Sequence, residues 1–249
     1  MDNAIGIIGG VGPYAGADLV RKVFDHTQAR TDQEHVSLYL VSCPSLIDDR
    51  TEYLLHGGVN PAGGMYVCFE KLVRCGANTI AVACNTAHAP EILGVMMEAA
   101  AVAYPEVRLI NMIEETCLYL ERLFPQGGKV GLLATVGTHM TGVYQRYLDH
   151  HPQFELLEPS SDGQRRVHAA IYDKEYGVKA KFPVSGEARA VLLDEAMHLL
   201  ERGAVAIILG CTELPLALKN DMLPCKLVDP TDCVARALVL AVAPEKFKE

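Results

Sequence analysis

One pattern occurs twice in this chain of 249 residues, and it limits the fold more than any other feature. Gly76-Ala77 opens a short apolar run, rich in β-branched residues, that ends at Cys84-Asn85-Thr86. Gly203-Ala204 opens a second such run, ending at Cys211-Thr212-Glu213. In both, the cysteine stands eight positions after the glycine. An apolar run of this length between a glycine and a polar turn predicts a buried parallel strand. Open α/β sheets place ligands at the carboxyl ends of their strands, which is where both thiols fall.

The repeat has a second landmark. Ile5-Gly6-Ile7-Ile8-Gly9-Gly10-Val11-Gly12-Pro13 has its counterpart in Val130-Gly131-Leu132-Leu133-Ala134-Thr135-Val136-Gly137-Thr138. Gly6 precedes Cys84 by 78 positions and Gly131 precedes Cys211 by 80. Between the landmarks, strands are predicted over 36–41, 79–83, 107–110, 129–134, 205–209 and 226–228. Helices are predicted over 14–27, 64–74, 90–103, 114–123, 139–150, 164–172, 187–202 and 231–242. This alternation implies parallel sheets flanked by helices. The expected architecture is α/β, with two pseudo-symmetric domains, each with a mainly parallel sheet, and the active site in the cleft between them. The first domain takes residues 1–113, and the strand and helix of 226–249 are expected to return and complete it; 114–225 form the second.

Net charge is −9, and no Lys/Arg run or basic-aromatic stripe occurs, so nucleic acid is not an expected partner. No apolar stretch reaches about 18 residues, and the opening Met1-Asp2-Asn3 lacks the basic and apolar regions of a signal peptide. The eight cysteines are scattered, without CxxC or metal-finger spacing. A cytoplasmic protein with reduced thiols is the expectation.

A lone strand-end cysteine is usually an inert small hydrophobe. A matched pair is different. Asn85 and Thr86 follow Cys84 at an expected helix start, where free N–H groups favour an anion and lower a thiol's pKa. Cys211 has Thr212 and Glu213, with Pro215 early in the next helix. Two thiols across a cleft suit inversion of a stereocentre: one removes the Cα proton and the other returns a proton to the opposite face. Such a pair titrates together, one member thiolate while the other is thiol.

The chain resembles the cofactor-independent aspartate/glutamate racemase superfamily, and its aspartate racemase branch in particular. The resemblance rests on Gly9-Gly10-Val11-Gly12-Pro13, Asp32-Gln33-Glu34-His35, Asp49-Arg50-Thr51, Ala83-Cys84-Asn85-Thr86-Ala87-His88, Met112-Ile113-Glu114-Glu115-Thr116, Leu132-Leu133-Ala134-Thr135 and Gly210-Cys211-Thr212-Glu213. It implies a racemase that uses no cofactor, neither pyridoxal phosphate nor metal, with Cys84 and Cys211 as the acid/base pair. It implies that Arg50 and a lysine grip the distal carboxylate of a small acidic amino acid; Lys179 fits best and Lys174 competes. The backbone of Gly10, Val11 and Gly12 would meet the α-carboxylate, assisted by Asn85, Thr86 and Thr212, with Thr135 at the equivalent turn of the second domain. A homodimer is implied as well. Val11 stands where many relatives have Met, and Glu213 where glutamate racemases commonly have His, which tilts the substrate toward aspartate.

Rival interpretations have specific weaknesses. Gly10-x-Gly12-x-x-Ala15 meets the loose dinucleotide fingerprint, but Pro13 occupies the turn and no acidic residue ends the second strand. Cys84 and His88 are i, i+4, which is two metal ligands and not a site. Tyr53 and Tyr144 could line the pocket, with core packing the default expectation. Superfamily enzymes of the maleate or hydantoin type remain alternatives, as does a catalytically silent module that binds acidic amino acids. Decarboxylation needs one cysteine and does not explain a pair.

Overall fold

A computed structural model describes residues 3–249 of the chain. Residues 1 and 2, part of the expected first domain and of the N-terminal segment read for a signal, lie outside the described residues. The chain divides into two compact units. One holds the residues up to Glu115 together with Thr231–Glu249, and the other is Thr116–Pro230.

The first unit contains β1 (Ala4–Gly9), α1 (Pro13–Asp25), β2 (Ser37–Ser42), α2 (Arg50–His56), α3 (Ala62–Cys75), β3 (Thr79–Val82), α4 (Val95–Ala103), β4 (Arg108–Ile110) and the start of α5 (Met112–Leu123). Its sheet has the order β2-β1-β3-β4, all parallel. The second unit takes the rest of α5, then β5 (Gly128–Ala134), α6 (Val136–Thr141), α7 (Val143–Leu148), β6 (Phe154–Leu157), α8 (Ser161–Tyr172), α9 (Gly186–Glu201), β7 (Ala204–Gly210), α10 (Leu214–Ala217) and β8 (Lys226–Val228). Its sheet runs β6-β5-β7-β8, again all parallel. The two strand orders are the same, as the repeat predicts. From β8 the chain returns to the first unit as α11 (Pro230–Val242).

The repeated glycines have a packing reason. A Cβ on Gly6 would lie 2.9 Å from the Ala77 Cβ and 3.0 Å from Ile80, and one on Gly131 would lie 2.5 Å from Ile207 and 3.0 Å from Leu199. In both sheets the first strand is crowded at its glycine by the neighbouring strand and by side chains from the helix segment that leads into it.

Several expectations need correction. The strand Lys226–Val228 does not join the first sheet. It pairs with β7 from Ala206↔Lys226 to Ile208↔Val228. Leu227 packs in the second unit's core, and its N–H donates to the Asn220 side chain at 3.0 Å, which fixes the edge. Only the helix goes back: Val234, Ala235, Leu238 and Val239 pack with Ile5, Ile7 and Leu19 of the first unit. The helix expected over 139–150 is two helices, α6 and α7, broken at Gly142, whose φ of 58° is left-handed. The helix expected from 90 begins as a π-type turn, Pro90–Gly94, before α4. Unforeseen were β6 and α2, a strand of four residues and a helix of seven.

Candidate functional site

In each sheet the chain steps from its first strand to one side (β2 or β6) and then to the other (β3 or β7). That is the switch point, outside the strands' carboxyl ends, where such sheets bind ligands. Parallel register determines what meets there. The β1–β3 ladder ends at Ile8↔Val82, and the Ala83 N–H then donates to the Ile8 carbonyl at 3.1 Å. Cys84 therefore leaves the sheet beside the Gly10-Val11-Gly12 turn. The β5–β7 ladder ends at Ala134↔Gly210, so Thr135 and Cys211 leave side by side.

In the first unit the turn after β1 depends on Gly10, with φ 78°. A Cβ there would lie 2.8 Å from the backbone N of Cys43 and 2.9 Å from that of Pro44. Arg50, the first residue of α2 behind an Asp49 cap, is buried rather than an exposed residue after a strand. Its guanidinium donates to the Val11 carbonyl at 3.0 Å and the Asp48 carbonyl at 3.2 Å. Arg50 is thus tied to the glycine turn itself. Cys84, Asn85 and Thr86 are all buried. No long helix begins at Asn85; the chain makes one 3₁₀ turn, Thr86–His88.

His88 closes that turn. Its Nδ1–H donates to the Cys84 carbonyl at 2.8 Å, and its Nε2 accepts the Met112 N–H at 3.2 Å. Both nitrogens are used and the ring must be neutral. Burial pushes its pKa down to about 4, against which the bond to Cys84 works only in part. A Cys84–His88 metal pair is incompatible with these bonds.

In the second unit Thr135 caps α6, its hydroxyl accepting the Thr138 N–H at 3.3 Å. Cys211, Thr212 and Glu213 are buried. The Cys211 thiol donates to Glu213 Oε2 at 3.1 Å, and the Thr212 hydroxyl reaches the same oxygen at 3.3 Å. Glu213 Oε1 accepts from Lys179 Nζ at 2.6 Å, and that ammonium lies over the Tyr172 ring. Lys174 is exposed.

This cluster overturns one expectation: the Cys211 thiol is not made more acidic. Burial and the negative charge of Glu213 push it well above the usual thiol range, and Lys179 only partly opposes them. Burial alone would lower Lys179, but Glu213 and the other groups beside it hold its ammonium above the ordinary lysine range. The helix after Cys211 has four residues, too few for its N-terminus to outweigh this. Sequence reasoning gave no site role to Glu213 or His88; the signal for His88 was its place four residues after Cys84.

Tyr144 is fully buried in the second unit, as expected, and Tyr53 accepts a hydrogen bond from Asn60 at 3.0 Å. Asp194, Glu195 and His198 on α9 bring ligand-type atoms within 4.8 Å of one another. Arg166 already pairs with Asp194 at 2.6 Å and Glu195 at 2.7 Å, so both carboxylates are engaged in an ion-pair network. Among the described residues no helix is long and apolar enough to cross a membrane.

Residues 8–238 match the Asp/Glu/Hydantoin racemase family. The chain belongs to that family. Racemase activity, an isomerase chemistry, is what membership supports. The chain is 24% identical to the broad specificity amino-acid racemase RacX of Bacillus subtilis, over 94% of this chain and 96% of that protein. It is 30% identical to a glutamate racemase of Stutzerimonas stutzeri over 67% of this chain, a match that spans 58% of the relative. Among solved structures, an aspartate racemase of Picrophilus torridus superposes with a TM-score of 0.77 at 26% identity, over 96% of this chain and 94% of that one.

Proposed function

We propose that the protein is a cofactor-independent racemase that interconverts L- and D-aspartate, with Cys84 and Cys211 as the two acid/base groups. The observation that carries this is the recurrence of a buried thiol just beyond the same central strand in two sheets of the same order. One sulfur takes the proton from Cα and the other returns a proton to the opposite face; the reverse reaction exchanges the roles. Identical groups suit a reaction whose two directions are chemically equivalent.

The charge that develops as Cα loses its proton spreads into the α-carboxylate. Backbone N–H groups of Gly10, Val11 and Gly12, with Asn85, Thr86, Thr135 and Thr212, meet it there. Fixed donors of this kind need no reorganisation in the transition state. Arg50 takes the distal carboxylate by its planar fork, which a lysine cannot imitate, and Lys179 adds a second positive charge. The proposed setting is a homodimer in the cytoplasm with reduced thiols. The similarity to a broad specificity racemase over nearly the whole chain favours a second version, in which the same two-base chemistry accepts further amino acids.

The test is incubation of the reduced protein with L-aspartate in D2O without added cofactor, following Cα deuteration and D-aspartate together. Deuteration with racemisation is the expected result. Exchange with glutamate or neutral amino acids but not aspartate would move the substrate; no exchange with any of them would leave a binding role.

A further inference from the structure

Resting on the two-base chemistry proposed above, we infer that Glu213 is a positioning residue that keeps Cys211 in its thiol form, making Cys211 the proton donor of the resting protein. Three contacts carry this. Oε2 of Glu213 lies 3.1 Å from the Cys211 sulfur and accepts its proton's hydrogen bond. Oε1 is held by Lys179 at 2.6 Å in an ion pair, which fixes the position of the carboxylate. Thr212 adds a third hydrogen bond at 3.3 Å to the oxygen that faces the sulfur. Glu213 is only 3% exposed, so water does not screen its charge from the thiol.

The titratable groups facing this sulfur come from three segments: Glu213 from its own turn, Lys179 from the stretch after α8, and Tyr172, under Lys179, from α8 itself. A thiolate formed there would face an ionised carboxylate across a contact that only a thiol can make favourable. The ammonium is already paired to Glu213 and offsets this repulsion only in part. In the first unit the residues following Cys84 are the neutral Asn85 and Thr86, and His88 is neutral as well. The proton therefore starts on Cys211, and Cys84 is left to accept the first proton from Cα. The two cysteines match in position but not in resting state.

The experiment is site-resolved alkylation by iodoacetamide from pH 6 to 11, read by mass spectrometry of the Cys211 and Cys84 peptides in the wild type, Glu213→Gln and Lys179→Met proteins. Removing the carboxylate's charge is expected to lower the Cys211 midpoint and speed its alkylation about tenfold at pH 8, since each unit is a factor of ten in thiolate. Removing the ammonium is expected to raise the midpoint. Cys84 serves as the internal reference and is expected to stay put in both. A merely structural Glu213 would not move the two variants in opposite directions. An unchanged Cys211 midpoint in a folded Glu213→Gln protein would overturn the proposal, as would a shift of the same sign in both. If Glu213→Gln does not fold, Lys179→Met decides alone: no rise overturns it. The readout needs no turnover, so a protein that fails to exchange Cα protons but shows these shifts would discard the racemase proposal and keep the Glu213–Cys211 coupling.

Discussion

The Cys84 turn and the Cys211 turn occupy the same place in two sheets of one topology, yet their surroundings are built from different chemistry. In the first the cysteine is followed by the uncharged Asn85 and Thr86, a neutral imidazole is bonded to its own carbonyl, and the charge described nearby is the Arg50 guanidinium on the adjoining glycine turn. The second sets a carboxylate against the sulfur and an ammonium behind the carboxylate. The turns after the first strands differ in the same way. One depends on a glycine with positive φ, pressed against Cys43 and Pro44, and the other on a threonine cap. The backbone plan was duplicated, and the side chains that tune each copy were not. Position within a repeat therefore brings a thiol to the same place twice but does not give the two the same surroundings.

The most severe way to break the comparison is to remove each thiol in turn. Cys84→Ser and Cys211→Ser are each expected to lower racemisation by about 10²- to 10⁴-fold, the usual worth of a general acid or base. Substantial activity in either folded variant, measured by polarimetry or a chiral assay, would end the two-base pairing.

Acid should separate the two turns next. An unfolded histidine takes a proton near pH 6.5, whereas buried His88 resists until about pH 4. Between these values the unfolded state binds more protons. Stability is thus complete above pH 6.5, falls as pH drops through the window, and has lost about 3 kcal/mol below it. The residue four places after Cys211 is Pro215, which does not titrate. Denaturant titrations at pH 7 and pH 4.5 should show the His88→Asn protein less acid-sensitive than the wild type. Hydrogen exchange should rise at 84–88 before it rises at 211–215. Equal sensitivity in both turns would remove His88 from this role.

The smallest effects sharpen the contrast at the strand-one turns. Gly10→Ala puts a Cβ against fixed backbone at positive φ and should cost about 2 kcal/mol or more. Thr135→Ala loses one cap and should cost about 1 kcal/mol. Urea midpoints of the two variants would test this order, and a reversed order would mean that the glycine turn is not strained by a side chain.

Much of this was legible in the primary structure, and for definite reasons. Gly6 and Gly131 mark the repeat on the first strands, and the runs ending at Cys84 and Cys211 announce the strands beside them. Local patterning misled where tertiary partners decide. Lys226–Val228 is apolar enough for either sheet, and the pairing with β7 is set by Leu227 and Asn220. Arg50 begins a helix because Asp49 accepts the Thr51 and Glu52 N–H groups, in a helix of seven residues too short to show a periodicity. Glu213 was visible only as a departure from glutamate racemases. Its contact with the sulfur follows from a lysine 34 residues away, and no window along the chain contains both.

The return of α11 has a consequence for synthesis on the ribosome. Residues 116–230 form one unbroken stretch and can close their core as soon as they have left the exit tunnel. The earlier unit cannot do the same. Ile5, Ile7 and Leu19 are covered by Val234, Ala235, Leu238 and Val239, more than two hundred residues further along. At about 5–20 residues per second, the N-terminal unit waits on the order of ten seconds with an apolar face uncovered. The unit made first is finished last, and during that interval it is a natural client for a chaperone.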